Sequence, residues 1–341
     1  MEAAGQEDGQ HSMVGITDVA RHAGVAVSTV SYVLSGKRPI SPSTRSRVLD
    51  SIAALGYQRP VFARSHTIGL AVRVDDGAHR PLLAEFMLSA SVAARRHHCN
   101  VLLLTDHAEH GLLDGALLDG LILMDIGIRD TRLETVRGLP VPTVLIGLPH
   151  DPAGLACVDL DFRAAGGLCV DHLADLGHRE VILLGAPEAA YRRRAGFAVR
   201  TIAGALERAV ARGVRLTHRS VEGDWDSTAG TLTRVLQERP DATALIVQNE
   251  AATPHLAPLL RGFGRALPED MSLVVVGSDA VATAGTPQLT SVAVPAAALA
   301  ERAVELLRQR LDRRSTDSDG APILLEPQLT VRASTGPPPP S

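Results

Sequence analysis

The stretch from Ile16 to Arg59 constrains this chain more than any other, because helix starts, a turn glycine and apolar spacing follow one another there in close order. It runs Ile16-Thr-Asp-Val-Ala-Arg-His-Ala-Gly-Val-Ala-Val-Ser-Thr-Val-Ser-Tyr-Val-Leu-Ser35, then Ser41-Pro-Ser-Thr-Arg-Ser-Arg47, then Leu55-Gly-Tyr-Gln-Arg59. Thr17 can cap a first helix whose apolar positions Val19, Ala20 and Ala23 recur at helical spacing. Gly24 ends that helix, since glycine reaches a left-handed turn without steric cost. Ser28 can cap a second helix that turns Val30, Val33 and Leu34 inward. Ser41 and Pro42 open a third, with proline where its missing N–H costs nothing. That helix carries Val48, Ile52 and Leu55 to the core and stops at Gly56. Two short helices joined by a glycine turn and braced by a third make a helix-turn-helix, the arrangement that sets one helix into the major groove of DNA.

Charge points the same way. Residues 14–66 hold seven bases (Arg21, Lys37, Arg38, Arg45, Arg47, Arg59 and Arg64) against two acids, Asp18 and Asp50. The whole chain carries −4, so a head of +5 is joined to a body of −9. A basic face on an otherwise anionic protein is the footprint of phosphate binding and implies salt-dependent affinity. Lys37 is the only lysine, so phosphate contacts fall mostly to arginine forks.

A chain of 341 residues suits two or three domains. Its 45% hydrophobic content supplies a core, built mainly of Ala, Leu and Val because aromatics are only 3%. No apolar run approaches the ~20 residues of a membrane span. The polar segment from Met1 to Ser12 holds no apolar signal core, and Cys99, Cys157 and Cys169 are scattered and odd in number, so a reducing cytoplasm is expected. The final Gly336-Pro-Pro-Pro-Pro-Ser341 suits neither helix nor sheet and is expected to be loose.

From Thr67 onward, short apolar runs alternate with amphipathic stretches. Strands are expected over residues 68–74, 100–104, 120–124, 143–146, 181–184, 244–247 and 273–276, with helices over 83–96, 164–176 and 194–212. Strands apolar on both faces, alternating with helices, predict parallel sheets covered on both sides. Ten or so strands exceed one sheet, so two α/β subdomains are expected, with a ligand cleft at the carboxyl ends of their strands.

Taken together, these residues resemble the LacI/GalR family of bacterial repressors. The first sixty or so look like that family's DNA-binding head, and the remainder like its periplasmic-binding-protein-like core. The core resemblance rests on Asp171-His-Leu-Ala-Asp-Leu-Gly-His-Arg179, Arg193-Arg-Ala-Gly-Phe197, Gly223-Asp-Trp225, Gln248-Asn-Glu250, Val276-Gly-Ser-Asp279 and Leu289-Thr-Ser-Val-Ala-Val-Pro295. The implied fold is a small all-α helix-turn-helix head plus an α/β core of two doubly wound subdomains. Implied boundaries are a disordered arm over 1–13, the head over 14–59, a shortened hinge over 60–67, the core over 68–332 with crossovers near 160 and 293, and a flexible tail over 333–341.

The resemblance also assigns roles. Val27, Ser28 and Tyr32 would face bases, Val27 through apolar contact only. Thr17, Thr29, Ser31, Ser35, Ser41 and Thr44 would hold phosphates, and Lys37, Arg38, Tyr57 and Arg64 complete the DNA-binding set. Tyr32 stands where many members carry arginine; its alternative is a bundle residue packed on the third helix. Specificity therefore leans on DNA shape. In the hinge, Ala63-Arg64-Ser65 puts His66 where the family has a minor-groove leucine. Either the hinge helix is truncated or Phe62 serves as the wedge.

For the effector, the resemblance implies Arg193 as a bidentate clamp, Asp279 and Asn249 as polar contacts, Trp225 as a stacking face, and Arg80 as a contact to an anionic ligand. Each has a plainer reading: a surface basic run for Arg193, core packing for Trp225, a helix cap for Asp279. The implied partners are double-stranded DNA bearing a pseudo-palindromic operator, a small-molecule effector (sugar, sugar phosphate or other metabolite) and a second copy of the chain in a homodimer, with no membrane.

Enzymatic readings find little. His97-His98-Cys99 and His107/His110 lack structural-zinc spacing, so no metal and no cofactor are expected. Asp159 and Asp161 mimic an acid/base pair but sit at a subdomain crossover. Phosphate-loop and nucleophile-elbow motifs are missing from the sequence. The alternatives to an effector-controlled repressor are a regulator that has lost effector response and, further off, a solute receptor.

Overall fold

The structure, a computed structural model, describes residues 14–35, 40–55, 57, 66–73, 80–105, 118–139, 141–152, 154–313 and 321–340, the side chains of Ser35, Arg80 and Arg313 excepted. The N-terminal arm, Lys37, Arg38, Gly56, Phe62 and the hinge segment Ala63-Arg64-Ser65 therefore lie outside the described residues, as do His107 and His110, whereas His66 is described. The chain divides into a head unit that closes at Ser65 and a core unit that opens at His66.

The head is three helices, α1 (Ile16–Ala23), α2 (Val27–Ser35) and α3 (Pro42–Leu55). Gly24 has φ 64°, the left-handed turn its position demands. Val19, Ala20, Ala23, Val30, Val33 and Val48 are buried together with Tyr57. Ser41 caps α3 as expected, its Oγ accepting from the Thr44 N–H at 3.3 Å. The other two starts differ from the sequence reading. The cap of α1 is Gly15, whose N–H donates to Asp18 Oδ2 at 2.9 Å, leaving Thr17 inside the helix. The second helix already begins at Val27, which puts Ser28 in its first turn. A carboxylate three residues inside the helix secures the start of α1 without a threonine.

The core unit holds two six-stranded sheets. In the first, β1 (Thr67–Ala71), β2 (Asn100–Leu104), β3 (Gly120–Met124), β4 (Thr143–Ile146) and β5 (Ala156–Leu160) pair in the order β5-β4-β3-β1-β2, all parallel. The second repeats that order with β6 (Glu180–Gly185), β7 (Arg215–Ser220), β8 (Ala244–Val247), β9 (Ser272–Gly277) and β10 (Thr290–Ala293) as β10-β9-β8-β6-β7. Both are doubly wound sheets, whose ligands gather where strand order reverses, outside the carboxyl ends of the strands. Central strands such as Gly-Leu-Ile-Leu-Met over 120–124 are buried along their whole length, the continuous apolar signature of a covered parallel sheet. The edge strand β2, by contrast, is partly exposed.

The helices are α4 (Arg80–Arg95), α5 (Arg132–Arg137), α6 (Phe162–Asp175), α7 (Glu188–Arg192), α8 (Gly196–Arg212), α9 (Trp225–Glu238), α10 (Thr253–Gly262), α11 (Asp279–Thr283) and α12 (Ala296–Arg313). The chain leaves the first sheet after β5 and returns after β10 through α12, near the two expected crossovers. A third crossing was not foreseen: β11 (Ile323–Leu325) adds to β5, and β12 (Leu329–Thr330) then adds antiparallel to β10. Helices α6 and α8 touch backbone to backbone at Gly204, where a Cβ would lie 1.8 Å from the Arg163 carbonyl oxygen.

The tail is a further correction. Ser334 is fully buried, its hydroxyl donating to the Leu273 carbonyl at 2.6 Å and accepting from the Thr290 N–H at 2.8 Å. The Gly336 carbonyl accepts from the ring of His178, and Pro338 lies against Gly177. A proline run cannot build a sheet, but the polar residues before it can strap one down through side-chain hydrogen bonds. Burial lowers the pKa of His178, so the strap is fastened by a neutral ring.

Candidate functional site

On the head, the exposed surface of α2 begins with Val27, which is 42% exposed, followed by Ser28 and Ser31, also exposed. Thr17 on α1 and Ser41 before α3 are exposed as well, while Thr29, Tyr32 and Thr44 are half-buried. An apolar side chain left in water at the first turn of α2 does not pack in the head core. Contact with a thymine methyl is one use for such a group. Tyr57 is different. It packs in the head core at 7% exposure, so it supports the three helices rather than reaching outward.

In the core unit a cavity of about 480 Å³ opens at the carboxyl ends of both sheets. Arg73 follows β1 and Asp125 follows β3, the two strands that flank the first switch point. Gln248 and Glu250 follow β8, beside the second. Arg193 enters from the α7–α8 loop and donates through Nη2 to Asp125 Oδ2 at 2.5 Å, joining the two subdomains by an ion pair. Backbone bonds close the same seam: Ile128 N–H to Arg194 carbonyl at 2.8 Å, and Gly196 N–H to Ile126 carbonyl at 2.9 Å. Arg192 and Arg194 are exposed, so the surface-run reading applies to them and not to Arg193.

Arg132 fixes the floor of this cluster. It donates to both oxygens of Asp130 and to the carbonyls of Met124 and Asp125. Burial opposes the Asp130 charge, yet the hydrogen bonds from Arg132 and Gly127 outweigh it and hold the carboxyl below its usual range. Asp159 is also in the cavity, 5% exposed, accepting from the Leu148 and Leu160 N–H groups at 3.1 and 2.9 Å. Burial pushes its pKa up to about 7, against the pull of Arg200. Asp161 lies past the end of β5 and caps α6, so the two aspartates form no acid/base pair.

Three other sequence-predicted effector residues, Asn249, Trp225 and Asp279, do not line the cavity. Asn249 is fully buried, its amide donating to the Val221 carbonyl at 2.6 Å and accepting from the Ala251 N–H at 3.1 Å. Trp225 is 47% exposed at the start of α9, with its ring edge-on to His255 at 5.5 Å. Asp279 opens α11, exposed and ion-paired with Arg332. Arg80 is the first residue of α4, its side chain not described. Sequence reading missed Arg73 and Asp125. Their signal was positional, a charged residue one or two places past a buried central strand.

Among the described residues no group of three or more His, Cys, Asp or Glu could hold a metal ion, and no helix is long and apolar enough to cross a membrane. Cys157 and Cys169 are buried, and their thiols are pushed up to about 12, which leaves them unreactive.

Comparison with known proteins matches this division of labour. Residues 15–60 match the family of bacterial regulatory proteins, lacI family, and residues 170–335 match the periplasmic binding protein-like domain. The HTH-type transcriptional regulator reg1 of Streptomyces lividans is 28% identical, aligned over 94% of this chain and 96% of its own. Catabolite control protein A of Priestia megaterium is 26% identical over 94% of this chain and 99% of its own. Among solved structures, a transcriptional regulator CelR–cellobiose complex superposes with a TM-score of 0.69 at 27% identity, covering 94% of this chain and 99% of that one. The lac repressor dimer bound to operator, at 21% identity and a TM-score of 0.68, shares the fold. With regulators as relatives along nearly its whole length, the chain joins a lacI-family helix-turn-helix head to a periplasmic-binding-protein-like core and is a DNA-binding transcriptional regulator.

Proposed function

We propose that this regulator is a cytoplasmic, nucleoid-associated repressor whose operator affinity is set by a small metabolite held between the two core subdomains. The observation that carries this reading is the Arg193–Asp125 ion pair across the cleft. A ligand contacting either partner interacts differently with open and closed arrangements of the halves, and differential affinity is the requirement for shifting a conformational equilibrium. Coupling of about 1–3 kcal/mol between sites is typical of such devices. The solved CelR neighbour holds cellobiose, which supports a metabolite as occupant.

Val27, Ser28 and Tyr32 face the bases in this proposal, and Thr17, Thr29, Ser31, Ser41 and Thr44 the phosphates, with Ser35, Lys37, Arg38 and Arg64 alongside. Two heads act together on a pseudo-palindromic operator, since a two-fold dimer calls for a two-fold site. Support for a homodimer comes from exposed Leu88 and Val92, one helical turn apart on α4, the kind of apolar surface that a second copy would cover.

Fluorescence-anisotropy titration of the full chain against its own upstream DNA and a scrambled duplex, at two salt concentrations, tests the reading. Upstream-selective binding that weakens with salt supports it, and equal weak binding to both duplexes speaks against an upstream operator. Sedimentation showing only monomer at micromolar concentration would remove the dimer.

A further inference from the structure

Most polar groups lining the cleft are already answered by the protein. The Gln248 amide accepts from the Tyr191 hydroxyl and donates to the Phe197 carbonyl. Glu250 accepts from the Ser278 N–H and hydroxyl, and Glu222 from the Glu188 N–H. Three atoms at one end are not. Arg73 Nε, Arg193 Nε and Asp125 Oδ1 are buried with no hydrogen-bond partner among the described residues. They belong to one cluster, with Arg73 Nε and Arg193 Nη2 4.0 and 2.5 Å from Asp125 Oδ2.

Within this cluster, among the described residues, the three guanidinium groups of Arg73, Arg132 and Arg193 meet the two carboxylates of Asp125 and Asp130, while Asp159, Glu222 and Glu250 line other parts of the cavity. Burial first, then Arg132, lower the Arg73 pKa, so the guanidinium stands in a place that an anion would relieve. Asp125 Oδ1 asks for the reverse, a donor. Much of the remaining lining is apolar, Leu82, Leu83, Phe86, Phe162, Phe197 and Val294 among it. The residues that would have greeted a polyhydroxylated ring elsewhere, Trp225, Asn249 and Asp279, do not line the cavity.

We infer that the effector of this chain is a hydroxy-carboxylic acid with an apolar body, its carboxylate accepting from Arg73 and Arg193 and its hydroxyl donating to Asp125. The inference rests on the reading of the cleft as the effector site and names its ligand class. One carboxylate answers the open N–H groups of Arg73 and Arg193, and its neighbouring hydroxyl meets Asp125 Oδ1. The body, of about phenyl-propyl size, fills the apolar end. A phosphate dianion would set two negative charges in a cavity that Asp159, Glu222 and Glu250 also line. A neutral sugar would give the two guanidinium groups no charged acceptor and spread hydroxyls over leucine and phenylalanine.

Isothermal titration of the full chain with 3-phenyllactate, its amide, glucose and cellobiose tests this. Phenyllactate is expected to bind at least about tenfold more tightly than the amide, a charge-assisted difference. Arg73→Gln should remove that preference, with unchanged salt-dependent DNA binding showing that the variant is folded. Amide and acid binding alike, or preference for the acid surviving in Arg73→Gln, overturns the proposal. Binding of glucose or cellobiose without phenyllactate also overturns it while the cleft keeps its role as effector site. Heat from none of the four overturns it too, and takes the effector reading with it if operator affinity is equally indifferent to all four.

Discussion

The two halves of the core share strand order and connectivity yet treat the ends of their central strands in opposite ways. In the first, Arg73 and Asp125 at the β1/β3 switch point carry buried polar atoms that no described residue engages. In the second, the run Gln248-Asn249 past β8 is bonded inward, to Tyr191, Phe197, Val221 and Ala251. The same topology thus makes one rim with open guanidinium and carboxylate atoms at Arg73 and Asp125 and one where Gln248 and Asn249 are bonded to the protein itself. Topology says where a site can be; the hydrogen-bond accounts of individual side chains say which rim is open.

The contrast breaks most forcefully at Asn249. Asn249→Ala leaves the Val221 carbonyl and the Ala251 N–H unanswered in the interior and should cost about 2–4 kcal/mol of core stability, read as a lowered urea midpoint. Unchanged stability with a lost ligand response would move Asn249 to the open rim. Arg193→Ala should do the converse, weakening effector binding by about 1.5–3 kcal/mol, roughly ten- to 150-fold, while DNA binding holds. A fall in DNA affinity without effector would reassign it.

Asp159 sharpens the comparison through pH. Its carboxyl titrates near 7 in the fold and near its ordinary 3.8 when unfolded. A raised pKa stabilises the folded form fully below the unfolded value, and that contribution is lost as pH rises through about 7. Asp159→Asn should therefore gain on the wild type by about 2–3 kcal/mol between pH 5 and pH 8, as followed by denaturant unfolding. A difference that does not vary with pH would mean the carboxyl stays ionised throughout. Trp225→Ala is the smallest test. An exposed ring outside the cavity should leave effector affinity within about twofold and stability within about 0.5 kcal/mol.

The head was nearly transparent to sequence because its information is local. Gly24, Ser41-Pro42 and the spacing of Val19, Ala23, Val30 and Val48 each act within a turn or two of chain. Of its two errors, the cap assigned to Thr17 came from weighing a hydroxyl above the carboxylate of Asp18, which closes the α1 start from within, and the cap assigned to Ser28 missed the helix start by one residue. Strand positions were equally plain, since buried parallel strands read as apolar runs; 100–104, 120–124, 143–146 and 244–247 match to the residue.

The cleft was less legible. Family correspondence carried Arg193 to the cavity, but whether Asn249 or Asp279 faces a ligand depends on distant partners, Val221 and Arg332, that no local pattern names. The tail misled for the same reason. Its prolines announce the lack of a ladder, whereas Ser272, Thr290 and His178, which bind it, lie far back in the chain.

The most direct test of the account is the affinity of the full chain for its upstream duplex, measured by anisotropy with and without saturating 3-phenyllactate, for the wild type and Arg193→Ala. The account predicts a shift of at least about fivefold in the wild type, absent in the variant, with both proteins equally tight when no effector is present. Wild-type affinity that ignores the ligand while titration shows it bound would contradict the coupling of cleft to operator.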